Sequence, residues 1–376
     1  MSRFHVPGVA IGILHDGDED IAAYGVTNLE HPLPVDADTL FQIASITKTM
    51  TATVVMRLVE RGALDLDAPI RRYLPEFKLR DEGAAARATL RHLVTHTGGW
   101  LGDCFADFGK GDDALARYVA AMAELEQLTP LGEIWHYSNS SFAVLGRLIE
   151  VVTGKTYEAA VRELLFIPLG MARSCFNADE AITHRVAAGH SVVDEQPRVV
   201  RPYAFPRATT PVGGVTLQQH GGSAIGQQGV LILAPERGFA IAVQTNSTRG
   251  ALLHQAITKW ALKTFVGVDE SAPAHVRMTK SRRDELVARY TAAGADIELR
   301  AGGDGVLLYR SIYHNLLGMT PAPTDPPSSP VAFIAQDQFV CLEGPLKDVR
   351  GEVIRDESGA VRWLRSAGRV HRRVDA

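Results

Sequence analysis

Cysteine is scarce in this chain of 376 residues: Cys104, Cys175 and Cys341 are odd in number and far apart. That excludes a disulfide framework and a zinc knuckle, which need closely spaced sets, and all three read as small buried hydrophobes. Long apolar runs are missing too. The one candidate, Val6 to Leu14, is broken by a proline and two glycines and followed at once by the acidic turn His15-Asp16-Gly17-Asp18-Glu19-Asp20. It reads as a strand entering a hairpin, not an export signal, and no other run approaches a membrane span. A cytoplasmic protein is the expectation, although a trimmed signal would leave no trace. Neither charge sign dominates, with 39 basic against 43 acidic residues and no long block of either. The footprint of a nucleic-acid or anionic-membrane binder is therefore missing, and a small molecule is the expected partner.

What is present alternates between two periodicities. Val9 to Leu14 and Ile21 to Tyr24 flank the acidic turn as neighbouring antiparallel strands would. From Ser45 to Arg61 the apolar positions Met50, Val54, Val55, Leu58 and Val59 recur at helical spacing, with Gly62 as a stop, so Ser45 opens a helix. Leu90 to Thr95 begins a short helix broken at Gly98-Gly99, and another runs from near Ser140 to a C-cap at Gly154. Val230 to Leu233 and Phe239 to Val243 read as adjacent antiparallel strands joined by a turn, and a helical run from Ala251 to Phe265 follows.

Beyond a linker at Val268 to Pro273, a short helix around Ser281 to Tyr290 precedes short strands. These are set apart by Gly302-Gly303-Asp304-Gly305 and Asp356-Glu357-Ser358-Gly359. Such turn spacing suggests a small antiparallel sheet or barrel, with the proline-rich stretch Pro321 to Pro330 as an exposed loop. The division predicted is residues 1–267, a linker at 268–275 and a second domain at 276–376.

Three constellations could carry chemistry. Ser45-Ile46-Thr47-Lys48 puts a hydroxyl and an amine three residues apart on one helical face, so the amine can serve as the base that a serine nucleophile needs. Alone, it could be an N-cap and a solvated lysine. Tyr137-Ser138-Asn139 offers a phenol that relays protons and an amide that holds a carbonyl or the lysine, or else simply a half-buried aromatic. His220-Gly221-Gly222-Ser223 offers glycines that let a substrate lie along a strand edge, backbone N–H groups for an oxyanion, and a histidine that could hold a positive or polar group. The bland alternative there is a β-turn with a surface histidine.

In this order the three motifs resemble those of serine β-lactamases and penicillin-binding proteins. The neighbouring Phe41 to Lys48, Leu93-Val94-Thr95-His96-Thr97-Gly98-Gly99 and Leu145-Gly146 are similar to class C β-lactamase relatives, family VIII esterases and D-aminopeptidases. The resemblance spans about Val6 to Phe265. It implies an α/β two-lobed transpeptidase-like domain, an antiparallel sheet plus a helical lobe. A small C-terminal antiparallel, lipocalin-like domain would follow, which in such relatives can shape the cleft. It further implies Ser45 as nucleophile, Lys48 as its base, Tyr137 as proton relay and Asn139 as the group orienting substrate and lysine. His220 would take the position usually held by Lys or His, and the backbone N–H groups of Ser45 and Ser223 would form the oxyanion hole. No cofactor or metal is implied. Relatives carry a long helical segment between Pro-x-Gly-Gly and His-Gly-Gly, whereas Pro211-Val212-Gly213-Gly214 stands five residues from His220. Either the cleft is open and suits bulky substrates, or activity is poor.

His92 and His96 have the i, i+4 spacing of a metal pair, but Leu93 stands where a zinc protease needs glutamate. Trp100 and Trp135 are candidates for the cleft rim or for packing. Among functions, an esterase ranks first, because histidine stands at position 220 where lysine would better hold a β-lactam or peptide carboxylate, and no export signal is seen. A D-amino-acid peptidase or amidase comes second, a β-lactamase third, and a catalytically silent binding protein is the alternative of another class.

Overall fold

The computed structural model describes residues 1–374 except 105, 202–217, 269–273, 293, 315–325 and 327. The chain divides into two compact units. One comprises Met1–Thr95, Ala106–Glu124 and Ser138–Glu270; the other comprises His96–Phe105, Leu125–Tyr137 and Ser271–Ala376. The first unit begins with the expected hairpin, β1 (Gly8–His15) and β2 (Asp18–Gly25), turning at Asp16 and Gly17, both with positive φ. Helices α1 (Thr47–Glu60), α2 (Glu82–Arg87), α3 (Leu90–Val94) and α4 (Ala114–Ala121) follow, then α5 (Asn139–Thr153), α6 (Tyr157–Val161) and α7 (Ala178–Ala181). A small hairpin, β3 (His190–Val193) with β4 (Gln196–Val199), precedes β5 (Gln218–Ala224), β6 (Gln227–Ala234), β7 (Phe239–Thr245) and α8 (Gly250–Ala261).

The main sheet is antiparallel in the order β2-β1-β7-β6-β5, which leaves β5 as an edge strand. Strict alternation along β7 buries Phe239, Ile241, Val243 and Thr245. The apolar residues of that face join Val9, Ile232 and the α8 residues Leu253 and Ala261 in one cluster, each large aliphatic side chain contributing roughly 1.5–3 kcal/mol by leaving water. The helical lobe centres on α5, buried from Asn139 through Leu145 and flanked by α1, α3 and α4. Ser138 caps its N-terminus by accepting the Ser141 N–H, and Gly154 ends it at φ 67°, as its position predicts.

In the second unit α9 (Lys280–Leu286) leads into eight strands: β8 (Ala288–Thr291), β9 (Ala295–Ala301), β10 (Leu307–Tyr313), β11 (Ser328–Phe333), β12 (Gln338–Cys341), β13 (Arg350–Arg355), β14 (Val361–Ser366) and β15 (Arg369–Val374). Their antiparallel pairings close into a barrel filled by Tyr290, Ile297, Leu299, Phe333, Phe339, Cys341 and Leu364. This is the lipocalin-like barrel that the resemblance implies.

Two local expectations need correction. The helix expected to reach Tyr290 stops at Leu286, because Val287 turns extended and Tyr290 is drawn into the barrel core as part of β8. The proline-rich loop does not extend to Pro330, which lies in β11 opposite Leu308 with its carbonyl accepting the Leu342 N–H. The ladder to β12 begins only at Val331, where an N–H is again available; residues 321–325 and 327 lie outside the described residues. Of the cysteines, Cys341 is buried and its thiol is pushed up to about 11 by burial, while Cys104 and Cys175 are half-buried. Among the described residues no helix is long and apolar enough to cross a membrane.

Candidate active site

Ser45 does not open an α-helix directly. It sits in one 3-10 turn, Ala44–Ile46, that feeds α1, and Ala44 before it takes φ 45°, a backbone conformation that costs a non-glycine residue energy and tends to mark functional turns. The serine is fully buried, and its Oγ has no hydrogen-bond partner among the described residues. Lys48, in the first turn of α1, is only 3% exposed. Its Nζ donates to Asn139 Oδ1 at 3.0 Å and stands 5.0 Å from the centroid of the Phe142 ring. Asn139 is available for this because the Ser138 cap starts α5 at that residue.

The His-Gly-Gly motif lies within the edge strand β5, so the turn reading is corrected. Gly222 explains the glycine: a Cβ there would stand 2.1 Å from the Ile43 carbonyl oxygen and 3.4 Å from the Ser45 nitrogen. Strand and serine turn are thus in backbone contact. Gly221 and Ser223 face the exposed side of the strand and His220 the buried side. Gln227, which no sequence pattern singled out, locks this arrangement: its Oε1 accepts the Gln42 N–H and its Nε2 donates to the Ala187 carbonyl.

The charge of His220 is set by its surroundings. Burial, reinforced by the Lys48 charge and opposed by the bond to Gly221, lowers its pKa to about 4. It is neutral at pH 7 and does not act as a cation. Its Nδ1 lies 2.7 Å from the Gly221 carbonyl, so Nδ1 carries the proton and Nε2 is a buried acceptor with no partner among the described residues.

Tyr137 belongs to the barrel-containing unit, together with the Leu93 to Gly99 motif's last four residues. It is 1% exposed, and its ring centroid lies 4.6 Å from that of His96 and 6.4 Å from that of Trp135. His96 adopts φ 57°, and its carbonyl accepts the His136 N–H. Gly99, at φ 79°, lies so close to the Thr129 carbonyl that a Cβ would come within 2.4 Å. The His-Thr-Gly-Gly segment therefore shapes the backbone beside Tyr137. His92 Nδ1 accepts the Thr89 N–H as a helix cap. Trp100 is fully buried and so is not at a rim, whereas Trp135 is half-buried. The segment Pro211 to Gly214 lies outside the described residues, and no metal-holding cluster of His, Cys, Asp and Glu occurs among those described.

A sheet-and-helix unit that holds a buried serine, lysine and asparagine beside an edge strand, joined in one chain to an eight-stranded barrel, defines a class of architecture. The family model described as Beta-lactamase matches residues 1–216, and the chain belongs to that family. It is 39% identical over 219 residues to penicillin-binding protein 4 of Amycolatopsis lactamdurans, covering 57% of each chain. It is 41% identical over 167 residues to esterase EstB of Burkholderia gladioli, covering 41% of this chain and 42% of the relative. The chain thus matches only about half the length of these curated relatives. The crystal structure of SurE, alone or with D-Leu, superposes with a TM-score of 0.71 at 22% identity over 99% of this chain and 96% of that one, a likeness of fold.

Proposed function

We propose that the chain is a serine hydrolase that forms an acyl-enzyme on Ser45 and acts on carboxylic esters. The observation that carries this reading is the buried, unengaged Ser45 hydroxyl, one helical turn from a buried amine oriented by Asn139. In this mechanism Ser45 Oγ attacks the ester carbonyl while its proton passes to Lys48 Nζ, which takes it up in its neutral amine form. The oxyanion rests on the backbone N–H groups of Ser45 and Ser223. The C–O bond then breaks, the leaving alkoxide takes a proton relayed by Tyr137, and water releases the acid and restores Ser45. Gly221 and Gly222 let the substrate lie along β5. Residues 1–267 are read as the serine hydrolase domain, 268–275 as the linker and 276–376 as the C-terminal barrel-like domain. The neutral His220 favours esters, because a substrate carboxylate gains no ion pair from it.

A second reading is a D-amino-acid peptidase or amidase, supported by the fold shared with SurE, which was solved with D-Leu. Initial rates with p-nitrophenyl acetate and butyrate, a chromogenic cephalosporin and a D-alanyl anilide, beside Ser45→Ala, test both. Ester turnover lost in Ser45→Ala is the expected result. Preference for the anilide supports the second reading, preference for the cephalosporin a β-lactamase. No Ser45-dependent turnover on any substrate returns the chain to the silent binding protein.

A further inference from the structure

We propose that Arg369, on the β14–β15 hairpin, is a positioning residue that holds the Tyr137 ring. The proposal rests on the reading above for the role of Tyr137 and adds a residue that the family motifs do not contain. Three consecutive residues, 135 to 137, are each tied to this hairpin. Arg365 donates to the Trp135 carbonyl at 2.8 Å and lays its guanidinium 5.4 Å from the centroid of that ring. The Val370 N–H donates to His136 Nδ1 and the Tyr137 N–H donates to the Gly368 carbonyl, both at 2.9 Å. Above the Tyr137 ring, 4.0 Å from its centroid, stands the Arg369 guanidinium. Its Nε and Nη2 are clamped at 2.7 and 3.0 Å by both oxygens of Asp103, itself 11% exposed.

The hairpin is built for this contact at a local cost. Ser366 pairs with Arg369, so Ala367 and Gly368 form a two-residue turn, and both take positive φ, 47° and 76°. Such a turn favours Asn or Gly at its first position; alanine there is strained, and strain of this kind persists where the surroundings fix it. A larger residue at Gly368 would be both strained at φ 76° and crowded, since a Cβ would stand 3.1 Å from a Trp135 ring atom and 3.3 Å from Tyr137 Cβ. Arginine suits the place because one planar group both forks onto a carboxylate and stacks on an aromatic face, which lysine cannot do. Tyr137 is followed at once by Ser138, the cap of α5, and by Asn139, the partner of Lys48. The hairpin thereby fixes one end of the segment from which the phenol is presented.

The test is a double-mutant cycle on the full chain with p-nitrophenyl butyrate. Arg369→Ala is expected to lower kcat about tenfold or more with KM within about threefold, because a misplaced relay is felt in the transition state. Arg369→Lys is expected to restore less than half of the loss. In a Tyr137→Phe background, Arg369→Ala is expected to change kcat by less than about twofold, since the group it positions is gone. Losses that multiply across the two sites, or that fall on KM, overturn the proposal. Turnover that does not need Ser45 overturns the functional reading instead, and the hairpin contact is then judged by unfolding. Arg369→Ala and Tyr137→Leu together should lower the melting temperature by at least about 2 °C less than the sum of their separate effects. Simple additivity there overturns the contact.

Discussion

Gly222→Ala is the substitution whose effect the geometry determines most directly. The new methyl carbon would stand 2.1 Å from the Ile43 carbonyl oxygen, 3.1 Å from the Ile43 carbonyl carbon and 3.4 Å from the Ser45 nitrogen. All three are backbone atoms, so no side chain can swing aside. Relief to ordinary contact requires β5 and the serine turn to part by roughly 1 Å. The edge strand has room to do so, because among the described residues no strand pairs with its far side. The protein should therefore stay folded while the spacing between the Ser45 and Ser223 N–H groups opens. An oxyanion donor works at about 2.7–3.1 Å, and a misplacement of 1 Å costs on the order of a hundredfold in rate, close to 2.7 kcal/mol of transition-state stabilisation. Initial rates with p-nitrophenyl butyrate, and the rate at which a fluorophosphonate labels Ser45, both read this loss. Gly12→Ala, in β1 of the same sheet, is the control: a Cβ there would meet nothing within 4 Å, and it should keep activity within about threefold. A Gly222→Ala protein as active as the wild type, or a Gly12→Ala protein equally damaged, would refute the reasoning.

Acid should destabilise the protein before its carboxylates titrate. His136, His220, His254 and His371 are each lowered to about 4, in every case by burial before any other cause, while an unfolded histidine titrates near 6.5. Between those values the unfolded chain binds protons that the folded chain refuses, so stability is full above about pH 6.5 and is lost as pH falls toward 4, by up to about 3 kcal/mol per histidine. Melting temperatures measured from pH 7.5 to 5 should fall steadily; a flat profile would contradict the burial of these rings. Asn246→Ala should cost on the order of 3 kcal/mol in denaturant unfolding, because this buried side chain accepts the Gly8 N–H and donates to the carbonyls of Val26 and Thr27. A loss below 1 kcal/mol would mean that water replaces those bonds.

The elements that the sequence made legible are those whose cause is local. Lys48 falls in the helix that the apolar spacing after Ser45 predicts, Gly154 ends α5 because glycine accepts positive φ, and glycine-rich turns at 302–305 and 356–359 separate strands in the barrel. Those features depend on residues a few positions apart, so periodicity and turn chemistry suffice. Local signals misled where long-range burial outweighed them. Tyr290 continues a helical pattern yet is taken by the barrel core, and Pro330 is carried into β11 by pairing with β10.

The site divides along the same line. Residue types and spacing were enough to nominate Ser45, Lys48, Tyr137, Asn139 and the glycines of β5. Only the tertiary structure determined that His220 is a neutral acceptor, since its ionisation follows from burial and from the Lys48 charge rather than from its neighbours in sequence. Gln227 beside Gln42, and Arg369 with Asp103 beside Tyr137, carry no sequence signal at all, because the partners are 185, 266 and 232 residues apart. A sequence read in consecutive blocks assigns His96–Phe105 and Leu125–Tyr137 to the first unit. Their contacts place them with the barrel, because a chain's compact units are set by which surfaces bury one another and not by the order in which the residues are joined.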